Sequence, residues 1–234
     1  MKKNTNFCIL FLFLLAFSFP NLLLAQKNKS QPDTSNAWSA YRNGLMFNDL
    51  DVAKNALFEL LVLQPENKAI YDSLAHMYFR MGAYAQAIQA TEKATPTGAI
   101  KEITAYSHRN LGDIKTALPL FEELYKSTNS PENGYQVATM QFALKRFGEC
   151  METIEKLKVN PDSKTRKVVI STDQGENNQV SYSAAIENLT GVLYLEMGKP
   201  EMAKSAFERA VAEEPDFILA KKNLESTNKP TPAK

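Results

Sequence analysis

Side chains able to do acid–base, nucleophilic or metal chemistry are few in this sequence, and they are scattered. His76 and His108 are the two histidines, and no cysteine or carboxylate cluster at metal-ligand spacing accompanies either. Gly175, Gly191 and Gly198 form no phosphate-binding loop, because none follows a strand and opens a helix at the required spacing. Glu201, Glu208, Glu213 and Glu214 read as a solvated helix face, and no nucleophile stands beside a base. The sequence therefore predicts no catalytic residue, no cofactor and no metal site, and a protein that is not an enzyme.

Composition fits a soluble folded chain: 234 residues, 44% apolar and 23% charged. Residues 1–25 have the form of a secretory signal. Lys2 and Lys3 supply the basic start, Phe7 to Phe19 an almost unbroken apolar core, and Ala25 a small residue before the cut. Pro20 and Asn21 interrupt the apolar run short of the ~20 residues that a spanning helix needs. Cys8 lies at the wrong end of the run for lipid attachment. The expected location is periplasmic or secreted, with no stable membrane insertion after cleavage. Cleavage leaves 25 basic against 26 acidic residues, a balance that gives no electrostatic argument for nucleic acid or for a membrane surface. It also leaves Cys150 as a single thiol, unable to form an internal disulfide and expected to be buried and inert.

The elements are set by small residues at fixed intervals. From Ala184 to Phe217, Gly191, Gly198, Ala203, Ala210 and Pro215 are separated by 7, 5, 7 and 5 residues, with Tyr194 and Phe207 as the large members. Small residues let two antiparallel helices approach closely, the aromatics fill the gap, and Pro215 stops the second helix for lack of a donor. The pattern resembles the tetratricopeptide repeat (TPR), a helix–turn–helix unit of 34 residues. Further copies are read at about 34–67 (Ala53, Leu57, Leu60, Pro65), 68–101 (Tyr78, Gly82, Ala87, Ala94), 98–130 (Ala105, Gly112, Ala117, Phe121) and 131–162 (Ala138, Phe147, Cys150, Ile154), ahead of 184–217. His108 takes the place of an inter-helix aromatic, as a satisfied core histidine would. Two departures weaken single positions: Tyr41 and Gly44 reverse the usual small and large residues, and Lys145 replaces a turn glycine.

The remaining segments are a disordered leader at 26–33, an insertion at 163–183, a capping helix at 217–226 and a disordered tail at 227–234. The insertion carries KVVIS and QVSYS around the turn-rich DQGENN, which predicts a short β-hairpin or an ordered loop protruding from the solenoid. Its edge at Val168 to Ile170 is a candidate for pairing with an extended partner segment, with Lys164, Arg166 and Lys167 attracting acidic groups. A tolerated loop expansion is the alternative.

The resemblance covers about 34–226. It implies an all-α, right-handed TPR solenoid of five repeats plus a cap, whose concave face, lined by the first helix of each hairpin, binds proteins or peptides. The residues placed on that face are Trp38, Arg42, Asp72, His76, Arg80, Glu102, Tyr106, Arg109 and Tyr135, with Met46, Phe79, Thr139, Phe142, Asn188 and Val192 beside them. Interleaved aromatic and arginine side chains are favoured at contact hot spots. Phe79, Phe142 and Trp38 serve equally well as packing between repeats. The lysine and asparagine clamp of TPR co-chaperones is absent, since its places hold Trp38, Arg42, Ser73, Ala99 and Ile103. The leader ending in LLLAQ and the stretch VSYSAAIENLTGVLYLEMG resemble exported TPR proteins of Bacteroidota-type bacteria, which implies location; the signal, the five repeats and the missing catalytic set lead to the expectation of an interaction scaffold of the cell envelope. A small-molecule binder or enzyme using the insertion and groove, and a structural oligomer, are the alternatives.

Overall fold

The computed structural model describes residues 33–172 and 174–227. The expected signal segment, the leader up to residue 32 and the tail from residue 228 lie outside these residues. From Thr34 onward the described chain forms one unit. Five helical hairpins follow one another: α1 (Ser35–Met46) with α2 (Leu50–Leu63), α3 (Lys68–Arg80) with α4 (Tyr84–Thr91), α5 (Gly98–Asn110) with α6 (Ile114–Thr128), α7 (Pro131–Ala143) with α8 (Phe147–Lys158), and α10 (Tyr182–Glu196) with α11 (Pro200–Glu213). A short α9 (Asp162–Thr165) and two strands, β1 (Lys167–Ser171) and β2 (Asn177–Ser181), separate the fourth from the fifth, and α12 (Ile218–Thr227) caps the end. The result is an all-α solenoid of five helix–turn–helix repeats carrying one small antiparallel hairpin.

The same turn closes every repeat. Asn48, Gly82, Gly112, Lys145 and Gly198 take positive φ of 55°, 71°, 80°, 58° and 71°. The next residue in each case donates its N–H to a carbonyl five residues back: Asp49 to Gly44, Ala83 to Tyr78, Asp113 to His108, Arg146 to Gln141 and Lys199 to Tyr194, all at 2.7–2.9 Å. These bonds occupy carbonyls that the helix end leaves unpaired, and they reverse the chain. Lys145 shows that the turn forms without glycine, at the cost of a left-handed conformation that a side chain resists. Second helices start on caps where the sequence supplies them: Asp49 accepts from the Val52 N–H and Asp113 from the Thr116 N–H. Thr34 precedes α1 without a side-chain cap bond.

Burial follows the repeat spacing. Ala53, Leu57 and Leu60, Ala117 and Phe121, Cys150, Ile154 and Leu157, and Ala203, Phe207 and Ala210 are all fully buried. Each large apolar side chain removed from water contributes about 1.5–3 kcal/mol. The apolar residues gather in successive clusters that span neighbouring hairpins, one from Ala37 to Ile103 and the next from Ala105 to Met140. At Gly191 a Cβ would fall on the Phe207 ring. In the first repeat the close approach moves one turn along, to Gly44, where a Cβ would lie 2.6 Å from the Ala53 nitrogen. Tyr41 instead packs half-buried, edge-on to Trp38 with centroids 5.8 Å apart. The reversed pair therefore keeps the helices in contact. Cys150 is buried, its thiol donates to the Ala138 carbonyl at 3.3 Å, and burial pushes its pKa up to about 11.

Three expectations are corrected. The insertion does not protrude: Val168, Ile170 and Val180 pack with Ala184, Ala185, Phe217 and Ala220, because an apolar hairpin face cannot stay wet when a neighbouring surface can cover it. Helix α10 begins at Tyr182, two residues early, because Ser181 Oγ accepts from the Ala184 N–H at 3.0 Å. Helix α12 runs through Thr227, one residue into the expected tail.

Two substitutions test this packing. Gly191→Ala forces the Phe207 ring aside and should lower stability by about 1–3 kcal/mol in chemical denaturation. Lys145→Gly relieves the left-handed turn and should raise it by about 0.5–1 kcal/mol.

Candidate functional site

The first helices α1, α3, α5 and α7 carry the expected contact residues, and the structure treats them unequally. One concavity joins α3 to α5, where His76, Phe79, Ala99, Glu102, Ile103 and Tyr106 line a pocket of about 360 Å³. His76 and Glu102 are exposed on its rim, and Tyr106 is half-buried. The Tyr106 ring meets Phe121 edge-on at 4.8 Å and lies 6.4 Å from Phe79, so two aromatics of the core fix its direction. Burial raises the Tyr106 phenol above its ordinary pKa, helped by the Glu102 carboxylate and opposed by Arg109. Arg109 itself is exposed, and its guanidinium makes no hydrogen bond or ion pair among the described residues.

Other predicted residues are already engaged. The Asp72 carboxylate accepts from the N–H and the hydroxyl of Thr95, at 2.6 and 2.9 Å. That fixes the loop after the short helix α4 and ties the Asp72 carboxylate to it. Arg80 donates to Asn48 Oδ1 at 3.3 Å, and Arg42 to Ser39 Oγ at 3.1 Å; both are exposed and reach solvent. Trp38 and Phe79 pack against the first cluster and Phe142 against that of the fourth and fifth repeats, each half-buried. Asn188 is not in the groove: it is buried and accepts from Asn223 of α12 at 2.9 Å.

The sequence reading missed the side chains around Tyr135. On α7, Glu132, Tyr135 and Gln136 share one face by helical spacing. The Tyr135 ring packs edge-on to Tyr182 at 5.7 Å. Glu132 holds Arg166 of the insertion through Oε1 at 2.5 Å, while its Oε2, like Oε1 of Gln136, is buried without a partner among the described residues. Burial pushes the Tyr135 phenol up to about 12, and burial aided by Glu132 raises that of Tyr182. Tyr182 gave no signal because it precedes the repeat and has no place in its spacing. The accessible groove between α3 and α5 thus offers a donor at Arg109 and an acceptor at Glu102 beside the aromatic rings of Phe79 and Tyr106. A donor and an acceptor beside aromatic rings suit a ligand with both kinds of polar group, as a peptide has.

A larger cleft of about 620 Å³ lies between α6 and α8, floored by Val137 and Gln141. Its lining is helix-surface carboxylates and lysines such as Glu122, Glu152 and Lys156, without a nucleophile beside a base. His108 is half-buried, with Nδ1 3.1 Å from Asp113 Oδ2. Among the described residues no cluster of histidine, cysteine and carboxylate side chains could hold a metal.

Residues 188–217 match the profile of the tetratricopeptide repeat. Several solved structures have the same fold. YrrB, a TPR protein with an unusual peptide-binding site, is 18% identical with a TM-score of 0.64, covering 82% of this chain and 92% of its own. A MamA protein is 14% identical with a TM-score of 0.61, covering 86% and 98%. MamA 41-end from Desulfovibrio magneticus RS-1 is 11% identical with a TM-score of 0.62, covering 81% and 99%. At such identities the likeness is one of fold. No curated protein matches the sequence.

The buried phenol gives a pH test. An unfolded tyrosine ionises near 10, and Tyr135 in the fold near 12, so the folded state holds the proton longer. Its contribution to stability is complete below pH 10 and is lost as the pH rises toward 12. Unfolding free energy measured across that window should fall less steeply in Tyr135→Phe than in the parent.

Proposed function

We propose that this chain is a non-enzymatic interaction scaffold of the cell envelope that binds an extended segment of a partner protein along the first helices of its second to fourth repeats. One observation carries the reading: α3 and α5 bring His76, Phe79, Glu102 and Tyr106 around one pocket, with the unpaired Arg109 a turn away on α5. Aromatic walls beside an uncommitted guanidinium give a partner both contact area and a strong donor. The TPR fold supports a binding role, and the basic start and apolar run of residues 1–25 support export. The near balance of charge disfavours nucleic acid.

Site-specific photocrosslinking in the native envelope tests this. A crosslinker at Tyr106 should capture a discrete partner that the same group at Glu208, exposed on α11, does not. Reversing charge with Arg80→Glu and Arg109→Glu should weaken that partner's binding by about tenfold or more, as loss of a charge-assisted contact does. Equal capture at both positions, or unchanged affinity after reversal, sinks the concave-face assignment.

A further inference from the structure

The hairpin of the insertion has a second side that the solenoid leaves open. Its strands pair antiparallel from Lys167 with Ser181 to Ser171 with Asn177, in unbroken register and with no bulge. The Tyr182 N–H donates to the Arg166 carbonyl at 3.0 Å, and the Thr172 N–H to the Glu176 carbonyl at 2.8 Å. Antiparallel hydrogen-bonded pairs recur at every second residue, so Arg166, Val168, Ile170 and Thr172 direct their backbone groups at β2. Lys167, Val169 and Ser171 direct theirs away from it. Among the described residues nothing donates to or accepts from those three backbones.

The two edges differ. On β2, the Ser181 N–H is taken by Glu214 at 3.0 Å, and the Asn178 side chain clamps the Asp216 carbonyl and the Ile218 N–H, both at 3.0 Å. Lys222 of α12 holds Glu176 at 2.7 Å, and Arg166 holds Glu132 of α7. The hairpin is therefore fixed at both ends and along β2, so β1 is presented as a rigid edge. A tolerated loop expansion has no need of such anchoring.

Unpaired edges are usually blunted by proline, a bulge or inward charge. β1 has none of these apart from Lys167 at its start, and Val169 is 59% exposed. The local charge says what fits. Lys164 and Lys167 are exposed and form no ion pair among the described residues. We infer that β1 accepts an extended, acidic segment of a partner protein as a third strand, with main-chain bonds to Lys167, Val169 and Ser171 and charge pairing to Lys164 and Lys167. This surface is separate from the pocket between α3 and α5 and does not rest on it.

The probe is a capped peptide alternating glutamate with valine and threonine, and its lysine counterpart serves as control. Added to the full chain, the acidic peptide should slow amide exchange at Lys167, Val169 and Ser171 and bind about tenfold or more tightly than the lysine version. Val169→Pro removes an open-edge donor without removing a bond to β2, and should abolish that protection, whereas Val169→Ala keeps it. Should the proline disturb the hairpin, the double variant Lys164→Glu with Lys167→Glu decides, by losing preference for the acidic peptide. Arg109→Glu should leave the binding as it was. Absence of protection at those three amides, or parent-like binding by Val169→Pro with its hairpin intact, overturns the assignment. So does a concentration-dependent dimer that Val169→Pro dissociates, which would make a second copy the occupant.

Discussion

Neighbouring hairpins hold each other up by sharing buried surface. A pair of helices such as α3 and α4 has an apolar side that it cannot cover alone, and Ile70, Leu74 and Ala90 are buried in one cluster with Leu57 of the repeat before and Ile103 of the repeat after. Close approach is what makes that wall continuous. Alanine at positions 75, 105 and 138 and glycine at 191 let the first helix of a repeat lie against its second. In the first repeat, Gly44 does the same one turn later. The contact therefore tolerates a shift in position but not the loss of a small residue.

That constraint frees the opposite side. Once the small and apolar residues of a first helix are committed to packing, the remaining side chains carry no folding duty and can be polar or charged. His76, Glu102 and Arg109 are such residues, and they are exposed. The freedom is partial. Asp72 spends its carboxylate on Thr95 because the loop after the short α4 needs its polar groups satisfied. Asn188 is covered because the cap lies against it. Position on a first helix is thus necessary for a place in the groove, but the neighbours decide whether the side chain remains available.

The insertion follows the same rule of covering apolar surface. Its strands alternate, so Val168, Ile170 and Val180 share one face, and that face docks on the fifth repeat and the cap. Docking brings Arg166 to Glu132 and Tyr182 to Tyr135, so the surroundings of Tyr135 are built from residues distant in sequence. The period is broken at the place where the solenoid acquires a sheet edge.

The sequence by itself determined the repeats, because the spacing of Ala203, Phe207, Ala210 and their counterparts is a local property of helix geometry, readable without knowing what packs on what. It also placed the two strands, through β-branched runs beside turn residues. It did not reveal that Lys145 would close a turn like a glycine, since the packing of α7 on α8 sets that conformation against the residue's own preference. Nor could it show that the hairpin lies down rather than stands out, or that Asp72 is spent while Arg109 is not. Those outcomes depend on contacts between residues 23 to 40 positions apart, such as Asp72 with Thr95 and Asn178 with Ile218, and contacts of that range exist only once the hairpins have stacked.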